Sequence, residues 1–408
     1  MLSVAEARER ILKNISPVTT ENIPLQESLG RILAEPVSAG FDLPSFDNSS
    51  VDGFAVRSHD LHGSKPDQPT LLKVTGDIPA GSKSTGAIGA GEAMRIMTGA
   101  PLPAGADAIV MVEDSNFNFR DTGVITPEDV LIFKQASIGE NIRKQGADVR
   151  SGQVVVNAPS LLRAQDIGLL ALLGIANVEV FRKPRVAVIS TGDELIPLTE
   201  SMTPGKIHDS NSFSLSALAK DIGAEAVNLG IAPDDPQQIK KLLDSAVDEN
   251  VDLIISSAGV SVGAFDYVKS VVESQGKVDF WKVNMRPGKP LAFGHYHGIP
   301  FFGLPGNPVS AFTGFLVFIR PALEKLSGLD PRQWKAKKAK LAELIESDGR
   351  ESYLRAVVTE EGNELVARLT GHQASSNLLS LVQANALLII PSGVKSVPPG
   401  EKVDAWLL

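Results

Sequence analysis

Between Arg185 and Leu326 apolar runs of strand length alternate with longer amphipathic stretches, and that alternation leaves few folds open. Arg185–Ser190, Glu225–Leu229, Val251–Ile255, Val278–Val283 and Pro300–Leu304 read as strands. Ser212–Asp221, Pro236–Asp248, a segment after Asp266 and Pro308–Leu326 read as helices. In Pro236–Asp248, Ile239, Leu242, Leu243, Ala246 and Val247 form one stripe, and Pro236 suits a first turn, where its missing N–H would lack a helical partner anyway. Strands separated by helices predict a parallel sheet covered on both faces, with every strand-to-helix turn opening at one edge.

The flanks read differently. Met1–Ile15 places Val4, Ile11, Leu12 and Ile15 on one helical face, after which Pro24, Pro36 and Pro44 break the chain. Thr70–Ile132 is dense in glycine and short β-like runs, and Ser160–Leu173 reads as a helix with Ser160 as N-cap and Gly174 as stop. Beyond about Asp330, Tyr353–Val358, Leu365–Leu369 and Ala386–Ile390 suggest a small β domain, and Lys335–Lys340 reads as a solvated linker or edge strand. The fold class is therefore α/β plus β, and a chain of 408 residues is too long for one core.

A formal charge of −9 argues against a nucleic-acid or anionic-membrane binder, which needs a basic face. The absence of cysteine excludes disulfides, thiolate metal sites and a cysteine nucleophile. No stretch approaches the ~20 apolar residues of a membrane span, and the first residues lack the apolar block of a secretory signal. A cytoplasmic protein is expected, binding neither nucleic acid nor membrane.

Chemistry is expected where the strands end. The strand Val251–Ile255 runs into Ser256–Tyr267, where small residues lead to one acid, Asp266, at a helix start. Gly259 and Gly263 let a backbone approach a ligand closely, and Asp266 would repel a bare phosphate unless a cation stood between them. Ser190–Leu195 adds Glu194, Ala232–Pro236 adds Asp235, and Gly303–Pro308 opens a helix with Asn307 as a suitable cap. Glu194, Asp235 and Asp266 beside a phosphate suit Mg²⁺, although Asp235 reads equally as the cap of the helix at Pro236. After another strand, Lys282 and Arg286 are placed to neutralise a phosphate or oxyanion, with Lys289 just beyond a Pro-Gly turn. In the amino-terminal half, Asp52 and Thr98 lie in polar segments that are either plain connections or active-site loops.

A second reading competes. Gly259-Val260-Ser261-Val262-Gly263 matches the G-x-S-x-G elbow of serine hydrolases, with Asp279 and His295 or His297 downstream as triad partners. Against it, no HGGG-type oxyanion loop precedes the turn. Neither a P-loop nor a dinucleotide fingerprint occurs, and the six histidines lack metal-ligand spacing.

Taken in order, Asp47-Asn48-Ser49 through Ala55-Val56, Ile96–Ala100, Ser190–Leu195, Gly259–Gly263, Pro287–Pro290 and Gly303–Ser310 resemble the molybdopterin molybdenumtransferase family, which includes MoeA and the E domain of gephyrin. The resemblance implies Mg²⁺-dependent insertion of molybdate into adenylylated molybdopterin with release of AMP. It implies catalytic or metal roles at Asp52, Thr98, Glu194, Asp235, Asp266, Lys282 and Arg286, where other members carry Lys at the last. It further implies substrate contacts at Ser190, Thr191, Gly192, Gly259, Val260, Ser261, Gly263, Lys289, Pro305, Gly306, Asn307, Arg355 and Ser375, with Ser376 an alternative to Ser375. The implied protomer has four domains: 1–45 with 140–177, a β-rich insert 46–139, the α/β domain 178–328, and a β-barrel 329–408. The implied assembly is a homodimer in which Asp52 and Thr98 of one subunit complete the other's site. A molybdopterin adenylyltransferase and acceptor molybdoenzymes are implied partners. A gephyrin-like scaffold is the alternative of a different class.

Overall fold

The computed structural model describes residues 1–82, 86–117, 125–257, 264–331 and 336–408, without the side chains of 264–266. The chain forms two compact units, one of Pro36–Asn157 with Leu169–Ile175, the other of Met1–Glu35, Ala158–Gly168 and Ala176–Leu408.

The first is built on a five-stranded sheet of β1 (Gly53–Val56), β2 (Thr70–Ile78), β3 (Glu92–Ile96), β4 (Ala108–Met111) and β5 (Asp129–Ile132), in the order β4-β1-β3-β2-β5. Alternation decides its two faces: Phe54 and Val56 pack with Leu72, Val110 and Ile132, whereas Ala55 packs with Ile78, Met94 and Ile109. At Gly53 a Cβ would lie 2.0 Å from the Val110 carbonyl oxygen, so only glycine lets β1 approach β4 there.

In the larger unit, α1 (Val4–Lys13) opens with a capping box between Ser3 and Glu6. The helix α2 (Ala164–Leu172) starts later than expected, because Ser160–Leu161 instead pair as a strand with Ile32–Leu33. The central sheet takes β6 (Arg185–Thr191), β7 (Glu225–Ala232), β8 (Leu253–Ser257), β9 (Gly276–Lys282), β11 (Pro290–Tyr296) and β12 (Ile299–Leu304), with the short β10 (Met285–Arg286) outside it; the order is β7-β6-β8-β12-β11-β9. The first four strands in that order are parallel, and β11 and β9 finish the sheet antiparallel. Between them run α3 (Asn211–Asp221), α4 (Pro236–Asp248) and α5 (Ala264–Gln275), and α6 (Pro308–Gly314) follows β12.

Both faces are buried, as the near-continuous apolar strands require. Val186, Val188, Leu253 and Ile255 pack on one side with Leu215 of α3, Ile11 of α1 and Phe315. Ala187, Ile189 and Ile254 pack on the other with Ile239 and Leu243 of α4 and Val268 and Val272 of α5. Each fully buried Leu, Ile or Phe stabilises this arrangement by roughly 1.5–3 kcal/mol. The helix expected over Pro308–Leu326 is interrupted by a π-turn at Phe315–Ile319, just before Pro321, which has no N–H to give.

The carboxy-terminal strands β13 (Lys337–Leu341), β14 (Glu351–Glu361), β15 (Glu364–Leu369), β16 (Ala386–Ile390) and β17 (Lys402–Leu407) close into a five-stranded barrel, because β14 pairs with both β15 and β16. The basic run Lys337–Lys340 is thus a strand of that ring. No helix among the described residues is long and apolar enough to cross a membrane.

Candidate active site

The registers Thr191↔Ala232, Ser190↔Ser257 and Ser257↔Leu304 bring the carboxyl ends of β6, β7, β8 and β12 to one edge. Because β11 runs the opposite way, its start, Pro290, lies at that same edge beside Lys282, the end of β9. Cations and acids far apart in sequence therefore meet along a single rim.

At this rim a cavity of about 880 Å³ opens, lined by Glu194, Arg286, Lys289, Pro305, Gly306, Asn307, Arg355 and Ser375 among the residues expected from sequence. Asn307 precedes α6, and Val309 N donates to the Ser375 carbonyl at 3.1 Å, which ties the Ser375 loop to the helix start. Ser375 is half-buried and Ser376 exposed, and both line the cavity. On the neighbouring wall Asn211, at the start of α3, donates through Nδ2 to Ser257 Oγ at 2.7 Å and to the Gly306 carbonyl at 2.8 Å. These bonds join three of the strand-end turns into one rigid surround.

The cation wall is short of counter-charge. Arg286, Lys289, Arg350 and Arg355 line the cavity against the carboxylates Glu194 and Asp209, with Arg350 already paired to Asp348. Arg355 is 1% exposed yet makes no ion pair among the described residues. Its Nε donates to Ser380 Oγ and its Nη2 to the Ala374 carbonyl, both at 3.0 Å. Burial, and secondarily the nearby Arg286, pull its pKa down to about 10, so it stays charged at neutral pH. A buried guanidinium opposed by a second cation and held only by neutral acceptors has the chemistry to receive an oxyanion.

Opposite lies an acidic group. Glu194 follows Gly192, whose φ of +147° suits glycine and where a Cβ would sit 2.6 Å from Glu194 Oε2. Asp234 donates its N–H to Asp193 Oδ1 at 3.1 Å, while its own Oδ1 is buried without a hydrogen-bond partner among the described residues. Burial, then Asp193, then Glu194 raise the Asp234 carboxyl. An orphaned acid pressed against other acids fits a divalent cation, although no three such groups among the described residues are already arranged around one. The sequence reading overlooked Asp193 and Asp234; the adjacent pair Asp234-Asp235 was the available signal, since only one of two neighbours caps a helix.

That cap is Asp235, whose Oδ1 accepts from Gln237 N at 3.0 Å and Gln238 N at 2.9 Å. Ser190 and Thr191 are buried at the end of β6, their hydroxyls without a partner among the described residues. Lys282 is exposed at the rim outside the cavity lining. Gly259, Val260, Ser261 and Gly263 lie outside the described residues, and Asp266 falls in the first turn of α5, its side chain also outside them. In the smaller unit, β1 and β3 pair at Gly53↔Ile96, and Asp52 Oδ1 accepts from both Thr98 N and Thr98 Oγ1 at 2.7 Å. Two residues 46 positions apart, singled out separately, are thus bonded to each other.

The hydrolase reading gains nothing. Asp279 Oδ2 lies 3.8 Å from His295 Nδ1, but His295 pairs with Pro300 at the start of β12, whereas Ser257 pairs with Leu304 at its end. The Asp–His pair therefore stands ~13 Å along the strand from the turn that leads to Ser261.

Comparison with known proteins covers nearly the whole chain. Residues 2–174 match the family model of the MoeA N-terminal region (domain I and II), 187–325 the probable molybdopterin binding domain, and 338–408 the MoeA C-terminal region (domain IV). Molybdopterin molybdenumtransferase 2 of Mycobacterium tuberculosis is 39% identical over 100% of this chain and 99% of its own, and the molybdopterin molybdenumtransferase of Haemophilus influenzae 37% over 99% and 98%. The crystal structure of the molybdopterin biosynthesis MoeA protein of Pyrococcus horikoshii superposes with a TM-score of 0.84 at 35% identity, covering 100% of this chain and 99% of that one.

Proposed function

Because the chain belongs to the molybdopterin molybdenumtransferase family, and is therefore a transferase, we propose that it inserts molybdate into adenylylated molybdopterin, with Mg²⁺, releasing AMP. The observation that carries this reading is the buried Arg355, set beside Arg286 and lacking an acid, in a cavity large enough for a nucleotide-sized ligand.

The substrate's phosphoanhydride would lie along the glycine turns and the starts of α3 and α6, where backbone N–H groups favour anions. Arg286, Lys289 and Arg355, with the Ser375 hydroxyl, would hold molybdate and screen its repulsion from phosphate. Lys282 at the rim would meet the phosphates. Glu194 and Asp234, with the free oxygen of Asp235 and with Asp266, would hold Mg²⁺. When bound, the ion supplies a Lewis acid for the anhydride oxygens. Water adds to one phosphorus, the bridging P–O bond breaks and AMP leaves; two thiol protons of the pterin depart with one molybdate oxygen as water when the sulfurs bind molybdenum. Asp52, fixed by Thr98, would complete the site across a two-fold axis of a homodimer, in the cytoplasm.

The test is direct: protein, adenylylated molybdopterin, molybdate and Mg²⁺ are incubated and AMP is measured. AMP release that depends on molybdate supports the reading; its absence from folded protein overturns it.

A further inference from the structure

Arg350 stands one residue before β14, the strand that carries Arg355, and it lines the same cavity. Its guanidinium is gripped by Asp348, with Nε at 2.9 Å from Oδ2 and Nη2 reaching the same oxygen, while Arg350 N donates to Asp348 Oδ1 at 3.1 Å. The remaining arm crosses to the α/β part, where Nη1 donates to the Met285 carbonyl at 3.1 Å. Met285 immediately precedes Arg286, and the two form β10, which pairs parallel to β14 at Met285↔Glu351 and Arg286↔Ser352. The backbone bearing Arg286 is thus held to the barrel twice, by a two-residue ladder and by Arg350.

A two-residue ladder is a weak tether, and the two guanidiniums it brings together repel. Something must hold Arg286 toward Arg355 when no anion is bound. On the function proposed above, we infer that Arg350, braced by Asp348, is a positioning residue that fixes the Arg286 backbone against the Arg355 strand, and so sets the affinity for molybdate.

Two explanations of Arg350 differ in sign. If it acted only as one more positive charge, Asp348→Asn would remove a nearby acid and tighten anion binding. If it acts by position, Asp348→Asn loosens the brace and weakens binding. The experiment measures KM for molybdate and for adenylylated molybdopterin from AMP release, in wild type, Asp348→Asn, Arg350→Met and Arg350→Lys, with thermal melting to confirm folding. Expected are rises in molybdate KM of about fivefold for Asp348→Asn and about tenfold for Arg350→Met, the scale of one lost hydrogen bond. Arg350→Lys, which keeps the charge without the fork, should follow Arg350→Met, and the pterin KM should hold within about twofold in all three. An unchanged or lowered molybdate KM in folded Asp348→Asn overturns the inference, as does a joint rise in both KM values. Wild type lacking molybdate-dependent AMP release would sink the functional reading, and this inference with it.

Discussion

Replacing Arg355 by Met should separate folding from function. A guanidinium pulled down from its ordinary value to about 10 is buried at a cost of roughly 3 kcal/mol at neutral pH. The depressed cation destabilises the fold wherever it is charged, below its folded pKa, so Met removes that penalty across the neutral range. Against this stand the hydrogen bonds to Ser380 Oγ and the Ala374 carbonyl, about 1.5–3 kcal/mol each, partly offset by the methionine's own burial. The opposing terms nearly cancel, and Arg355→Met is expected to change unfolding free energy by no more than about 2 kcal/mol in urea titration. AMP release at fixed molybdate should fall about a hundredfold, the loss of one strong charge-assisted contact to the oxyanion. A variant destabilised by more than about 4 kcal/mol, whose activity tracks its folded fraction, would show that Arg355 anchors the 373–380 loop instead. Retained molybdate affinity in a folded variant would refute the receptor argument outright.

Chelation of Mg²⁺ should abolish AMP release and its restoration recover it; full turnover in excess chelator would remove the metal from the scheme. Asp235→Ala should cost about 1 kcal/mol of stability through the lost N-cap. Asp234 behaves differently: its raised carboxyl contributes stability that is full below its ordinary 3.8 and is lost as pH rises through the folded value, so Asp234→Asn should flatten that decline in urea unfolding above about pH 4. Mixing inactive Asp52→Asn protomers with inactive Asp266→Asn protomers should restore partial activity after subunit exchange, and mixed dimers without recovery would exclude a shared site.

Periodicity told most about the centre of the chain. Pro236–Asp248 is a helix with the boundaries its stripe and first-turn proline imply, and Ala386–Ile390 and Leu365–Leu369 fall in strands as read. Where the reading slipped, local propensity yielded to pairing. Ser160 has the chemistry of an N-cap but is taken by Leu33, and Lys337–Lys340 looks like linker because a strand exposed on one face can carry lysine there while Ala339 and Leu341 enter the core. The reversal of β11 also left no trace, since an apolar run carries no sign of direction, yet it delivers Lys289 to the rim. At the site, individual side chains were legible from their company in motifs. Their partnerships were not: nothing in the spacing announces that Asp52 grips Thr98.

The closed carboxy-terminal ring bears on how this wall responds to load. A strand in an open sheet can slip by two residues and recover most of its bonds, whereas β14 is bonded along both flanks, so any slide breaks two ladders at once. Arg355 is therefore mounted on a strand that cannot slide without breaking two ladders. Its guanidinium is thereby held in register with the pairings on either side of it.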